Sequence, residues 1–184
     1  MKNFTKTIAI LKRLVYNEYI KVVKSGAITE QSGAKGDKIM LYGRYEHTID
    51  AKNRVFVPAK YKESLGETFK LSHNGFNKCI LVYSNEEWQK YEEKLATFPP
   101  TEFEDYIREV YSNTVDVQID SQGRIVIPNF LKDKLKVNED SVVKNLAILG
   151  VGTHLEIWAV EGFEEKKKKV DMDNIRNLMI QMKL

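Results

Sequence analysis

The sequence predicts an α+β protein: a small β-barrel built from a tandem repeat and decorated by helical hairpins. Three observations predict it. Ile49-Asp50-Ala51-Lys52-Asn53-Arg54-Val55-Phe56-Val57-Pro58 returns 70 residues on as Ile119-Asp120-Ser121-Gln122-Gly123-Arg124-Ile125-Val126-Ile127-Pro128. Cys79-Ile80-Leu81-Val82-Tyr83, followed by Glu86 and Trp88, returns 75 residues on as His154-Leu155-Glu156-Ile157-Trp158, followed by Glu161 and Phe163. Short β-branched runs bounded by turn residues surround these blocks, and strands pairing across the two copies would close a barrel without exposed edges.

Residues 1–39 come first. Ile8, Leu11 and Val15 with Ile10, Leu14 and Val22 cover most of a helix circumference, and the Gly/Ser/Lys-rich stretch Ser25–Lys38 reads as a linker. Lys12 and Arg13 interrupt the apolar run and no small-residue cleavage site follows, which makes a poor signal peptide. Tyr45, His47 and Ile49 then alternate with Glu46 and Thr48 as in a strand. Asp50–Arg54 is a turn, in which Asn53, or Gly123 in the second copy, suits a positive φ. Val55–Val57 and Ile125–Ile127 are short strands stopped by Pro58 and Pro128; Pro58 opens a short helix that Gly66 ends. Strands at Thr68–Ser72 and Cys79–Tyr83 are joined at Asn74-Gly75. In the second copy, Val142–Leu149 and Leu155–Trp158 flank Gly150-Val151-Gly152. Between the copies, Ser84-Asn85-Glu86-Glu87 and Thr101-Glu102-Phe103-Glu104 are capping boxes for two helices. Trp88, Tyr91 and Leu95 line one helix face, and Phe103, Tyr106, Ile107 and Val110 the other. The chain thus divides into an extension (1–39), a first repeat (40–98), a connecting helix (99–113), a second repeat (114–163) and a C-terminal helix (164–184).

Composition narrows the function. A chain of 184 residues can bury a core without disulfides or a structural metal. Its single cysteine, Cys79, cannot form an intrachain disulfide and suits a reducing, cytosolic setting. His47, His73 and His154 are scattered, too few with Cys79 for a zinc set, and no cofactor is implied. No apolar run approaches the roughly 20 residues of a membrane helix. The net charge of +3 divides at Met40 into +5 for residues 1–39 and −2 for the rest, so a nucleic-acid site in the body must be a local patch. Lys166–Lys169 after Glu164-Glu165 reads as a solvated helix face. Lys132, Lys134, Lys136 and Arg44 fit phosphate contacts and plain surface equally well. Cys79 reads as a small buried hydrophobe and His47 as a structural strand residue.

The chemistry concentrates in the two Asp-x-x-x-Arg turns. An arginine leaving a tight turn presents a planar fork suited to guanine O6/N7 or phosphate, which nominates Arg54 and Arg124. Asp50 and Asp120 organise the turns by accepting backbone N–H bonds or bracing the arginines. At the tips, Lys52 suits phosphate, and Gln122 suits phosphate or a base edge. On spacing alone, an Asp–Arg brace within a barrel explains these residues as well as DNA contact does.

Both turns, the segment Met-Leu-Tyr-Gly-Arg-Tyr-Glu-His-Thr-Ile-Asp at Met40–Asp50 and Gly152–Trp158 resemble the MraZ family of bacterial regulators of the division and cell-wall gene cluster. The resemblance runs from about Met40 to Phe163. It implies two AbrB-like domains in a double-split, swapped-hairpin barrel, and a homo-oligomer assembled as a ring. The implied partner is double-stranded DNA, at promoter direct repeats upstream of the protein's own operon; the implied location is the cytoplasm, on the nucleoid, with no membrane. The resemblance turns Arg54, Arg124, Lys52 and Gln122 toward DNA and leaves Asp50, Asn53, Asp120 and Gly123 to shape the turns. Asn53 departs from the family's usual glycine, but asparagine tolerates the left-handed region and the turn should survive.

Because the resemblance begins at Met40, that residue reads as the true start, with residues 1–39 as translated upstream DNA. Lys35-Gly36-Asp37 can encode a Shine–Dalgarno-like purine run. Lys24-Ser25-Gly26 and Gln31-Ser32-Gly33 can both carry AGT GGN, about 21 base pairs apart, or about two turns of duplex. A genuine amphipathic helix with a linker is the alternative.

An enzyme would need a nucleophile–base pair or paired carboxylates, and no local signature of either occurs, so no catalysis is expected. An antitoxin-type protein-binding module is the rival reading. Such AbrB-like proteins typically pair one domain with a disordered tail, whereas this chain has two repeats and a short C-terminal helix.

Overall fold

The structure, a computed structural model, describes residues 40–140 and 142–181. The helix and linker expected within residues 1–39 lie outside the described residues. The first copy runs β1 (Leu41–Thr48), β2 (Arg54–Phe56), α1 (Ala59–Leu65), β3 (Thr68–Ser72) and β4 (Cys79–Ser84). Two helices follow, α2 (Asn85–Leu95) and α3 (Pro100–Ser112). The second copy repeats the plan as β5 (Val115–Gln118), β6 (Arg124–Val126), α4 (Asn129–Asp133), β7 (Asn145–Gly152) and β8 (Leu155–Ala159), and α5 (Val160–Lys168) and α6 (Met172–Gln181) come last.

The strands exchange between copies. They form an antiparallel sheet in the order β1-β7-β8-β4-β3-β5 and a separate ribbon of β2 with β6. The first strand of each copy pairs with the third strand of the other, β1 with β7 and β5 with β3. In the ribbon Val55 faces its own repeat equivalent, Ile125, and in the sheet Leu81 faces its equivalent, Glu156. A local twofold therefore relates the copies through these two pairs. Among the described residues the ladders form a six-stranded sheet and a two-stranded ribbon and do not join β1 to β5, so they do not by themselves trace the small barrel the sequence predicts. The ribbon contacts β1 through β2 and β5 through β6, and it drops Val55 and Ile125 into the shared core.

Two-residue periodicity partitions the interior. Along β4, Ile80 and Val82 enter the main core with Phe69, Leu71, Tyr61 and Leu131. Cys79, Leu81 and Tyr83 point the other way, into a second cluster with Trp88, Leu95, Val110 and Trp158. This second cluster seats α2 and α3, whose Tyr91 and Tyr106 hydroxyls meet at 2.9 Å. The two helices are the decorating hairpin expected between the copies.

Local signals decide the helix ends. Ser84 caps α2 as expected, its Oγ accepting from the Glu87 N–H at 3.2 Å. Thr101 does not cap α3. That helix already begins at Pro100, where a fixed φ and a missing N–H suit the first turn, and the Pro99 carbonyl accepts from Glu102 and Phe103. The expected turn at Gly150–Gly152 is also displaced. These residues lie within β7, and the reversal falls at Thr153-His154, with the Val151 N–H bonded to the His154 carbonyl at 2.9 Å. Gly150 instead permits a close strand approach: a Cβ there would collide with the backbone of Leu41 and Tyr42. The C-terminal region is two helices, the first starting at Val160, ahead of the expected boundary. No helix among the described residues is long and apolar enough to cross a membrane.

Candidate nucleic-acid interface

The two Asp-x-x-x-Arg turns fold alike. Asp50 Oδ1 accepts from the Lys52 N–H at 2.8 Å and the Arg54 N–H at 2.9 Å, while Oδ2 accepts from Arg54 Nε at 2.7 Å. Asp120 repeats this with the Gln122 N–H at 2.9 Å, the Arg124 N–H at 2.8 Å and Arg124 Nε at 2.9 Å. Backbone bonds close each turn, from Asp50 N to the Arg54 carbonyl and from Asp120 N to the Arg124 carbonyl. Only an acceptor two atoms beyond Cβ can reach these N–H groups and the guanidinium together, hence aspartate. The donors hold both carboxyl groups below their ordinary value, and the arginine's own backbone N–H is the largest influence in each.

Asn53 has a φ of 57° and Gly123 a φ of 80°, the left-handed turn position expected of both. Each turn is also fastened to the other copy. The Val57 N–H donates to the Gly123 carbonyl, and the Ile127 N–H donates to the Asn53 carbonyl. Asn53 receives Lys132 Nζ at 2.7 Å on its Oδ1 and donates its Nδ2 to Asn129 Oδ1 at 2.6 Å. At Gly123 the bare Cα leaves room for the head of Lys62, the repeat equivalent of Lys132.

Arg54 and Arg124 leave the turns on the outward face of the ribbon, since the intervening Val55 and Ile125 point into the core. Register places Arg54 opposite Val126 and Phe56 opposite Arg124. Their side chains stay part-exposed, at 30% and 18%. The brace and an outward contact are compatible. Asp50 takes only Nε of Arg54, whereas Asp120 takes Nε and Nη2 of Arg124 at 2.9 and 2.8 Å. Lys52 and Gln122 are exposed at the turn tips.

Other basic residues sort themselves. Lys132 belongs to the turn cluster, whereas Lys134 pairs with Glu109 and Lys136 with Asp133. Arg44 is bound by Glu46 at 2.6 Å and Glu164 at 3.1 Å and lies over the Phe163 ring. Within the lysine run, Lys166 bonds Asn77 and Lys167 pairs with Glu164. Cys79 is buried, and His47 leaves a buried Nε2 without a hydrogen bond among the described residues. Sequence reasoning missed Lys62, and with it Phe56 and Val126 on the ribbon's outer face. The repeat offset that pairs Lys62 with Lys132 was the available signal.

The comparisons with known proteins agree with one another. The family model described as "MraZ protein, putative antitoxin-like" matches residues 40–105 and 110–178. A protein of Caldanaerobacter subterraneus subsp. tengcongensis named "Transcriptional regulator MraZ" is 43% identical over 135 residues, covering 72% of this chain and 90% of that protein. A protein of the same name from Thermoanaerobacter sp. is 44% identical over 135 residues, with the same coverage of each chain. Another from Clostridium tetani is 36% identical over 146 residues, covering 78% of this chain and 99% of its own length.

Proposed function

The chain belongs to the MraZ family, and from that premise we propose that it is a transcriptional regulator that binds specific double-stranded DNA through Arg54 and Arg124. The observation that carries the reading is the matched pair of turns, which hold two arginines on one exposed ribbon face. Lys52 and Gln122 contact the backbone or a base edge from the tips. Asp50, Asn53, Asp120 and Gly123 shape the turns.

The ribbon register sets the scale of recognition. Arg54 and Arg124 are diagonal neighbours, about 7–8 Å apart at Cα, which corresponds to about two base-pair rises of ~3.4 Å and falls far short of the ~34 Å of a helical turn. One chain therefore reads one element, and direct repeats upstream of its own operon call for several chains, as in a homo-oligomeric ring. The protein acts in the cytoplasm, on the nucleoid, and catalyses nothing. Anisotropy titration of the upstream duplex against a scrambled duplex tests the reading; equal affinity for both defeats it.

One observation favours a second reading, an antitoxin-like module that masks a partner protein. Met172, Ile175, Met179 and Ile180 of α6 are exposed, and no residue of that helix is buried. Sequence-specific DNA binding that survives removal of residues 170–184 assigns function to the ribbon and not to this helix.

A further inference from the structure

We propose that Phe56 and Val126 are base-reading residues that contact the C5-methyl groups of thymine, each working beside an arginine. The inference rests on the DNA-binding reading and names what the same ribbon recognises besides guanine and phosphate. Phe56 and Val126 are 49% and 54% exposed, whereas Val55 and Ile125 between the outward positions are 1% and 2% exposed. Strand alternation fixes this: neither outward side chain can turn into the core without reversing the whole ribbon.

Register gives these side chains particular neighbours. Phe56 lies directly opposite Arg124 and Val126 directly opposite Arg54, so each cross-strand pair joins one planar cation to one apolar group. The Arg124 guanidinium carbon stands 6.0 Å from the Phe56 ring centre, and the His47 ring centre lies 6.4 Å from that of Phe56. Lys52, Lys62 and Lys132 complete a cationic margin around the two turns.

An apolar pair set among arginines and lysines needs a partner that is anionic outside and apolar at defined points within. A major groove about 12 Å wide admits a two-stranded ribbon, its walls are phosphate, and the thymine methyl is its apolar feature. The paired arrangement then calls for thymine next to each guanine contacted by an arginine.

Replacing each thymine of the upstream duplex in turn by deoxyuridine removes only the methyl group. With the full chain, substitution at one or two thymines beside guanine should weaken binding about fourfold, the value of one buried methyl-sized group. Phe56→Ser and Val126→Ser should each weaken binding to the thymine duplex and abolish the penalty at one of those positions, while Phe56→Leu retains it. Thymine-to-uracil penalties that are the same in wild type and in both serine variants overturn the proposal, provided Arg54→Ala still weakens binding. A change of oligomeric state in Phe56→Ser by light scattering also overturns it, because a second copy of the chain then covers this face. Failure of the wild type to distinguish the upstream duplex from a scrambled one overturns the DNA-binding reading itself.

Discussion

Lys132 donates to the Asn53 carboxamide oxygen at 2.7 Å, fastening the segment after the second turn to the tip of the first. The mirror contact is made differently: Lys62 reaches the second turn only because Gly123 has no side chain. The local twofold is therefore preserved in the backbone and broken in chemistry at the turn tips. Asn53 replaces a glycine's freedom with a side chain that hydrogen-bonds in the left-handed region, where asparagine is tolerated.

That asymmetry predicts unequal glycine substitutions. Gly123→Ala should cost about 1 kcal/mol in urea unfolding, because φ is positive while the Lys62 head can swing aside. Gly150→Ala should cost more, toward the upper end of the roughly 1–3 kcal/mol of overpacking, since the obstruction is the backbone of β1.

Asp50 and Asp120 predict a pH dependence. Their folded-state values lie below the ordinary 3.8, so their contribution to stability is complete above that value and is lost as pH falls through the lower, folded values. The double variant Asp50→Asn/Asp120→Asn should unfold more easily at neutral pH and show a flatter acid limb. Urea midpoints measured from neutral pH into the acid range check this.

Lys52 should behave as a phosphate contact. Lys52→Ala should weaken specific and scrambled duplexes alike and reduce the slope of log affinity against log salt by about 1 per bound chain. Titrations at several salt concentrations separate it from a base reader, whose loss changes preference at unchanged slope.

Cys79 should be inert while the protein is folded. Burial pushes its thiol well above the ordinary range, so little thiolate exists to react. Native protein should resist alkylation under conditions in which urea-unfolded protein is labelled fully.

Much of this was legible in residue order. The repeat announced two equivalent turns, and the β-branched runs and Ser84 cap located most strands and one helix start. Glycine was misleading at Gly150, where the sequence shows flexibility but not the neighbouring strand that demands it. Thr101 misled because a proline one residue earlier already satisfies the helix start. Pairing across the copies was legible from the repeat, but the ribbon register that sets Phe56 opposite Arg124 joins residues far apart in the chain, and no local pattern encodes it. The turn residues were readable because their roles are local: an aspartate, a left-handed residue and an arginine within five positions.

The most direct test of the central claim is the affinity of Arg54→Ala, Arg124→Ala and Arg54→Lys for the chain's own upstream duplex. Each alanine variant should lose about 1–3 kcal/mol of specific binding while keeping its circular dichroism spectrum, and Arg54→Lys should keep charge but lose sequence preference with the planar fork. Unchanged affinity and preference with both arginines removed would contradict the account.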